Sequence, residues 1–393
     1  MPGRPEISNS LDQFAEGKLR ALEQRNLRRW LAETERVGPI EVMRNGRRLI
    51  SFSCNDYLNL SQHPEIKRAA IAATERYGVG AGASRLVTGN HPLFKVLEEK
   101  LARLKGAEDA CVFGSGYLAN TGIIPALVGA DDMVAVDELS HACIHAGARL
   151  TEGAVRVFRH NDVGHLRAIL AEHRARHPRA MIVTDGVFSM DGDLAPLAAL
   201  ADAADEFDAW LMTDDAHGVG VVGGGRGSGF ANGGARRVPL QMGTLSKAIG
   251  GYGGYLCASK PMIDLIRTRC RTFIYSTGLP PASVAAAIAA IELIERDPDY
   301  AALPLAKARA FTRALGLPDA QSPIVPIVLG GETRTLNASR LLEEEGFLVI
   351  AIRPPTVPAG TARLRVTFTA AHDDADVRRL ADVIRTRILT EAA

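Results

Sequence analysis

Lys247 lies in a short turn, Thr244-Leu245-Ser246-Lys247, between an apolar run and a glycine-rich stretch, downstream of another apolar run that closes on Asp214. An acidic residue at the end of one strand and a lysine opening a later turn imply a buried amine working beside a fixed carboxylate. Pyridoxal phosphate needs such a pair. The amine can bond to the cofactor aldehyde, while the carboxylate keeps the pyridine nitrogen protonated so that the ring withdraws electrons.

Other residues extend this constellation. The run 110–113 leads into Gly114-Ser115-Gly116-Tyr117 and then a helical segment, so free backbone N–H groups at a helix start could receive a phosphate. A tight strand-to-helix turn would need the same glycines. Thr244 could add a hydroxyl to that phosphate. In Asp214-Asp215-Ala216-His217, a carboxylate at the end of a buried strand is costly unless paired, and a pyridinium N–H is a charge-assisted partner. One of the two aspartates also suits a cap or turn. His217 is placed to donate toward the cofactor's phenolic oxygen.

Three motifs admit rival readings. His141 and His145 follow Ser140, a plausible helix cap, and share one helical face. They lack the glutamate of HExxH and a third ligand, so no metal is expected; one imidazole, His141, stacked on a flat ring is the better reading, with His145 packing. Gly218-Val219-Gly220-Val221-Val222-Gly223 fits the dinucleotide pattern and raises a nicotinamide-dependent oxidoreductase. That motif needs a helix directly after its glycines, which Gly224-Gly225-Arg226-Gly227 cannot readily form, so a flexible connection is expected instead. Arg353, between an apolar run and Pro354-Pro355, suits bidentate capture of an amino acid carboxylate or an ordinary surface ion pair.

The elements that must position these residues follow from the apolar pattern. A charged helical stretch over 11–36 and a short strand over 47–52 form an arm. Short apolar runs at 110–113, 133–136, 155–158, 181–184, 210–213, 238–242 and 255–258 alternate with helical patterns, which implies an α/β fold with a mostly parallel sheet covered by helices. Ligands of such sheets bind at the carboxyl ends of the strands. After an alanine-rich helix over 282–294 the pattern becomes mixed, with strands at 324–329, 348–352 and 364–369. The expected division is an arm (1–54), a large α/β domain (55–290) and a smaller α+β domain (291–393).

The chain has 393 residues, with 46 lysines and arginines against 45 acidic residues. That length exceeds one core, and the charge balance offers nucleic acid or a membrane surface no electrostatic handle. The five cysteines, 54, 111, 143, 257 and 270, show no CxxC pair or regular spacing, and are read as reduced, mostly packing residues. Arg4, Glu6 and Asp12 near the start leave no apolar leader, and no uncharged apolar run has membrane-spanning length. A cytoplasmic location is expected.

Taken together, these residues resemble the α-oxoamine synthases, a fold-type-I pyridoxal-phosphate family, over about residues 27–385. The likeness is carried by Ser53-Cys54-Asn55-Asp56-Tyr57-Leu58, Gly80-Ala81-Gly82-Ala83-Ser84-Arg85-Leu86, Gly186-Val187-Phe188-Ser189-Met190-Asp191-Gly192, the segment from Asp214 to His217, that from Thr244 to Lys247, and the stretch 351–365. The resemblance implies that Lys247 holds the cofactor, His141 stacks on its ring and Asp214 pairs with its nitrogen. Ser189 and His217 would bond the phenolic oxygen, with Gly116, Tyr117 and Thr244 near the phosphate. Asn55 and Arg353 would orient the substrate carboxylate, Thr356 would touch substrate, and Arg28 or Arg29 would reach the acyl substrate. Without that role, the charge run from Arg25 to Arg29 would be a solvated helix face.

The implied reaction is a decarboxylative condensation of an amino acid with an acyl thioester. The stretch AIRPPTVPAGTARLR, 351–365, resembles the member that joins L-alanine to pimeloyl-CoA or a pimeloyl carrier protein in biotin biosynthesis. Asp185 stands where that member would carry glutamate and is similar to glycine C-acetyltransferase, so glycine with acetyl-CoA is the alternative. The family also implies a homodimer with its site between subunits, the Tyr275-Ser276-Thr277 segment reaching the neighbouring cofactor phosphate.

Overall fold

The computed structural model describes residues 9–231 and 237–390; Arg4 and Glu6 lie outside them. Seven short strands form the central sheet, in the order Asp109–Phe113, Gly254–Ala258, Leu240–Thr244, Trp210–Asp214, Ala180–Asp185, Met133–Asp137, Ala154–Phe158. Gly254–Ala258 runs antiparallel to both its neighbours, and the other pairings are parallel. Most of these strands are buried along their whole length, the pattern of a sheet covered on both faces. The register sets Asp185 directly beside Asp214 at the carboxyl ends of adjacent strands.

Helices cover this sheet because their apolar faces match it. Pro281–Arg296, mostly alanine and isoleucine on its buried side, packs with Pro64–Tyr77 and Leu93–Lys105 in one apolar cluster. Gly116–Leu127 and Lys260–Arg269 contribute to a second cluster and Val163–His173 and Leu197–Glu206 to a third. Contacts divide the chain into two units. One gathers the described residues up to Ser53, Pro326–Val366 and those from Thr386, and the other comprises Cys54–Val325 and Thr367–Arg385. These boundaries cut the chain at other places than the expected three-part division.

The smaller unit departs from expectation in its local elements. The helix expected over 11–36 ends at Gln24, where Arg25 caps it and Asn26 turns left-handed with φ 54°. Its residues bury no side chain, so no apolar face extends it. Two short strands were not expected, Glu35–Arg36 and Glu41–Arg44. The second pairs with Arg47–Ser51 through Asn45-Gly46, both at positive φ, as a two-residue hairpin turn requires. The strand expected over 348–352 is two: Phe347–Leu348 joins Ile50 and Ser51 in parallel, whereas Ala351–Ile352 joins Arg363 and Leu364 antiparallel. At the switch the Ser53 hydroxyl donates to Leu348 O (3.3 Å) and accepts from Ile350 N–H (2.9 Å), replacing the missing ladder bonds. The expected strands at 238–242 and 364–369 are offset, forming Leu240–Thr244 and Ala362–Thr367.

Candidate active site

The carboxyl ends of the central strands deliver acidic and hydroxyl side chains to one place, and the helix Gly116–Leu127 begins there. Ser115 caps that helix by accepting from Leu118 N–H (3.1 Å), which leaves the earlier N–H groups as an anion site. A cavity of about 220 Å³ opens beside it, lined by Ser115, Gly116, Tyr117, His141, Asp185, Asp214, His217, Thr244, Ser246 and Lys247 among others. Gly254 makes the approach possible: a Cβ there would sit 2.6 Å from Gly116 N.

At the base of the cavity Asp214 is held from two sides. Its Oδ2 accepts from Asn120 Nδ2 (2.7 Å) and its Oδ1 from Ala216 N–H (2.9 Å). A carboxylate offers about four acceptor positions, so Asp214 keeps capacity for a further donor in the cavity. His141, rather than Ser140, is the N-cap of Ala142–Arg149; its Nδ1 accepts from Cys143 N–H (3.2 Å). Burial lowers the His141 pKa from 6.5, with the Asp214 charge opposing and the Lys247 ammonium adding to the effect, so the imidazole is neutral at pH 7. Asp185 accepts from His141 N–H (3.1 Å). Burial, then the neighbouring Asp214 charge, pushes the Asp185 carboxyl well above the ordinary range.

The next aspartate does something else. Asp215 pairs with Lys105 Nζ (2.8 Å), both side chains 1% exposed, and accepts from Ser228 N–H. Lys105 also donates to Arg226 O (2.6 Å). The segment 218–229, expected as a flexible connection, is thus tied down, and Gly227 at φ 107° leaves room that a Cβ would take from the Asp215 carboxylate. Among the described residues its glycines lead into the three-residue turn Ser228–Phe230, not the helix a dinucleotide motif requires.

The cavity brings together Gly116, Tyr117, His141, Asp214, His217, Thr244 and Lys247. Thr244 donates to Gly253 O and contacts Ser246 Oγ, both at 2.8 Å, bracing the Lys247 turn. Asn55 and Ser189, in the same unit, do not line the cavity. Asn55 is nonetheless linked to His217 through Tyr57, whose hydroxyl lies 3.3 Å from Asn55 Oδ1 and 2.7 Å from His217 Nδ1. Arg28, Arg29, Arg353 and Thr356 belong to the smaller unit. There the two candidate arginines part ways: Arg29 donates to Thr356 Oγ1 (2.8 Å), whereas Arg28 pairs with Glu23 and stacks on Trp30. Arg353 donates to Asn26 O.

Sequence reasoning missed Asn120, Cys143, Tyr57 and Ser246. None of the five cysteines forms a disulfide, but Cys143 lines the cavity rather than only packing. His145 is half-buried, and burial lowers its pKa. Among the described residues no group of His, Cys, Asp and Glu could hold a metal ion.

This assembly fits one kind of cofactor. A helix start for a phosphate, a carboxylate with acceptor capacity to spare, and a lysine on one small cavity define a fold-type-I pyridoxal-phosphate enzyme, and pyridoxal 5'-phosphate is its cofactor. A family model for class I and II aminotransferases matches residues 47–384, and the chain belongs to that family. It is similar to the 8-amino-7-oxononanoate synthase of Methylocella silvestris, 66% identical over 346 residues that cover 88% of this chain and 99% of that one. The 8-amino-7-oxononanoate synthase of Beijerinckia indica is 62% identical over 376 residues, covering 96% of this chain and 97% of the relative. Among solved structures, Sphingomonas wittichii serine palmitoyltransferase superposes with a TM-score of 0.90 at 30% identity, covering 96% of this chain and 98% of that chain.

Proposed function

We propose that this chain is an acyltransferase of biotin biosynthesis, condensing L-alanine with a pimeloyl thioester to give 8-amino-7-oxononanoate, carbon dioxide and free thiol. The observation that carries it is Lys247 and Asp214 on one cavity with His141, beside the helix start at Gly116; the name of the relatives supports the product. When bound, the cofactor supplies an electron sink for a carbanion at the substrate α-carbon. Asp214 would hold a proton on the ring nitrogen, and His141 would stack on the ring as a neutral imidazole. The Lys247 amine removes the alanine α-proton. The α-carbon then attacks the thioester carbonyl, the thiolate leaves, carbon dioxide departs from the β-keto acid, and Lys247 returns a proton. Arg353 and Asn55 would orient the carboxylate before it leaves, Thr356 would touch substrate, one of Arg28 and Arg29 would meet the acyl substrate, and Ser189 with His217 would bond the phenolic oxygen.

The acyl donor is pimeloyl-CoA or a pimeloyl carrier protein. A homodimer is supported by the exposed apolar residues Val79, Leu86, Val87, Tyr252 and Tyr275, with the Tyr275 segment meeting the partner's cofactor phosphate. A cytoplasmic location accords with there being, among the described residues, no helix long and apolar enough to cross a membrane. Asp185 favours the second reading, glycine with acetyl-CoA, since one methyl in a pocket is worth only ~1–3 kcal/mol. Thiol release by the purified yellow protein separates them. Turnover with L-alanine and pimeloyl-CoA well above that with glycine and acetyl-CoA is expected, and the reverse ranking would transfer the assignment to the acetyltransferase.

A further inference from the structure

Two residues without an assigned task lie between His141 and Asp214. Asn120 is fully buried in the helix that starts the phosphate site, and Cys143 in the first turn of the helix capped by His141. Both hydrogens of the Asn120 amide are used: Nδ2 donates to Asp214 Oδ2 (2.7 Å) and to Cys143 Sγ (3.1 Å). The amide oxygen is buried with no hydrogen-bond partner. The opposite orientation would set that oxygen against the Asp214 carboxylate, so Asp214 dictates the orientation, and the orphaned oxygen is its consequence.

The thiol completes the link. Burial, together with the Asp214 charge, raises the Cys143 pKa to about 12, so it remains S–H and can donate. Its Sγ lies 2.8 Å from His141 Nδ1, which already accepts from Cys143 N–H. With Nδ1 an acceptor, the imidazole proton stays on Nε2.

We propose that Asn120 and Cys143 are positioning residues that join His141 and Asp214 into one hydrogen-bonded unit, fixing the Nε2–H tautomer of the stacking histidine and the orientation of the carboxylate that meets the cofactor nitrogen. This rests on the pyridoxal-phosphate reading of the cavity. Two faces of the cofactor site are thereby set by one chain of donors, Asn120 to Cys143 to His141 and Asn120 to Asp214.

The test compares the wild type with Asn120→Leu, Cys143→Ala, Cys143→Ser and the Asn120→Leu/Cys143→Ala double variant. Two quantities are read: the dissociation constant of pyridoxal phosphate from titration of the apoprotein, and the nitrogen shifts of His141 in ¹⁵N-histidine-labelled protein, assigned with His141→Gln. Asn120→Leu should weaken cofactor binding about tenfold or more. Cys143→Ala should weaken it several-fold and move the Nδ1 shift away from a hydrogen-bonded acceptor. Cys143→Ser, which keeps a donor, should restore both readings, and the double variant should lose less than the product of the single losses. Equal behaviour of Cys143→Ser and Cys143→Ala, or losses that multiply, would overturn the proposal. If Asn120→Leu fails to fold, the two Cys143 variants decide alone. A wild type that binds no pyridoxal phosphate would defeat the functional reading, while the His141 shifts would still decide the hydrogen-bonded unit.

Discussion

Two consecutive aspartates each have a lysine nearby, and their surroundings are opposite. Around Asp215 the carboxylate is held by protein alone: Lys105 donates to it and to Arg226 O, Ser228 N–H fills in, and the aspartate is buried. Around Asp214 two donors hold the carboxylate while a cavity shared with Lys247 stays open beside it. Residue type does not separate a structural lysine–aspartate cluster from a chemical one. What separates them is retained acceptor capacity facing a cavity at the carboxyl ends of the strands.

Substituting the two lysines breaks this comparison most sharply. Lys247→Ala should abolish thiol release, by at least about a thousandfold, while unfolding in denaturant stays close to wild type. Lys105→Met should do the reverse, destabilising the fold by about 3–5 kcal/mol because Asp215 is left buried and unpaired. Similar effects of the two changes on both measurements would erase the distinction. The aspartates sharpen it: Asp214→Asn should raise the cofactor dissociation constant about 10- to 100-fold, whereas Asp215→Asn should act mainly on stability, as read by thermal unfolding of the apoprotein.

That Lys247, Asp214, His217 and Gly116 meet at one cavity was legible in sequence, because each sits near an end of a strand or a start of a helix that apolar runs mark out. Their supports were not. Asn120 and Lys105 meet Asp214 and Asp215 only after the sheet is assembled, and nothing in a helix interior announces which polar side chain will cross to a distant strand. Tyr57 was in view inside a quoted motif, yet its bond to His217 is equally long-range. The segment 218–229 read as flexible because glycine composition reports conformational freedom and not the buried anchor that removes it. The hairpin at Asn45-Gly46 carried a readable turn signal that was passed over, whereas the break between Leu348 and Ala351 depends on the Ser53 hydroxyl, which no local pattern shows.

The smallest expected effect concerns the loop bearing Ser189. His160 bridges Asp137 (3.2 Å) and Asp193 (2.9 Å) with its ring edge-on to Phe188. Burial alone would lower its pKa, but the two carboxylates raise it to about 10 from 6.5. A raised folded-state value means that the stabilisation is fully present below about pH 6.5 and is lost as pH climbs toward about 10. The stability difference between wild type and His160→Gln, measured in denaturant across that range, should shrink as pH rises; a constant difference would remove the charged clamp.

The central claim is that the nitrogen of Lys247 carries the cofactor covalently. Reduction of the yellow protein with borohydride, proteolysis and mass mapping of the peptides tests it most directly. A single pyridoxyl adduct on Lys247 is the predicted result, and an adduct on another lysine, or none, would contradict the account.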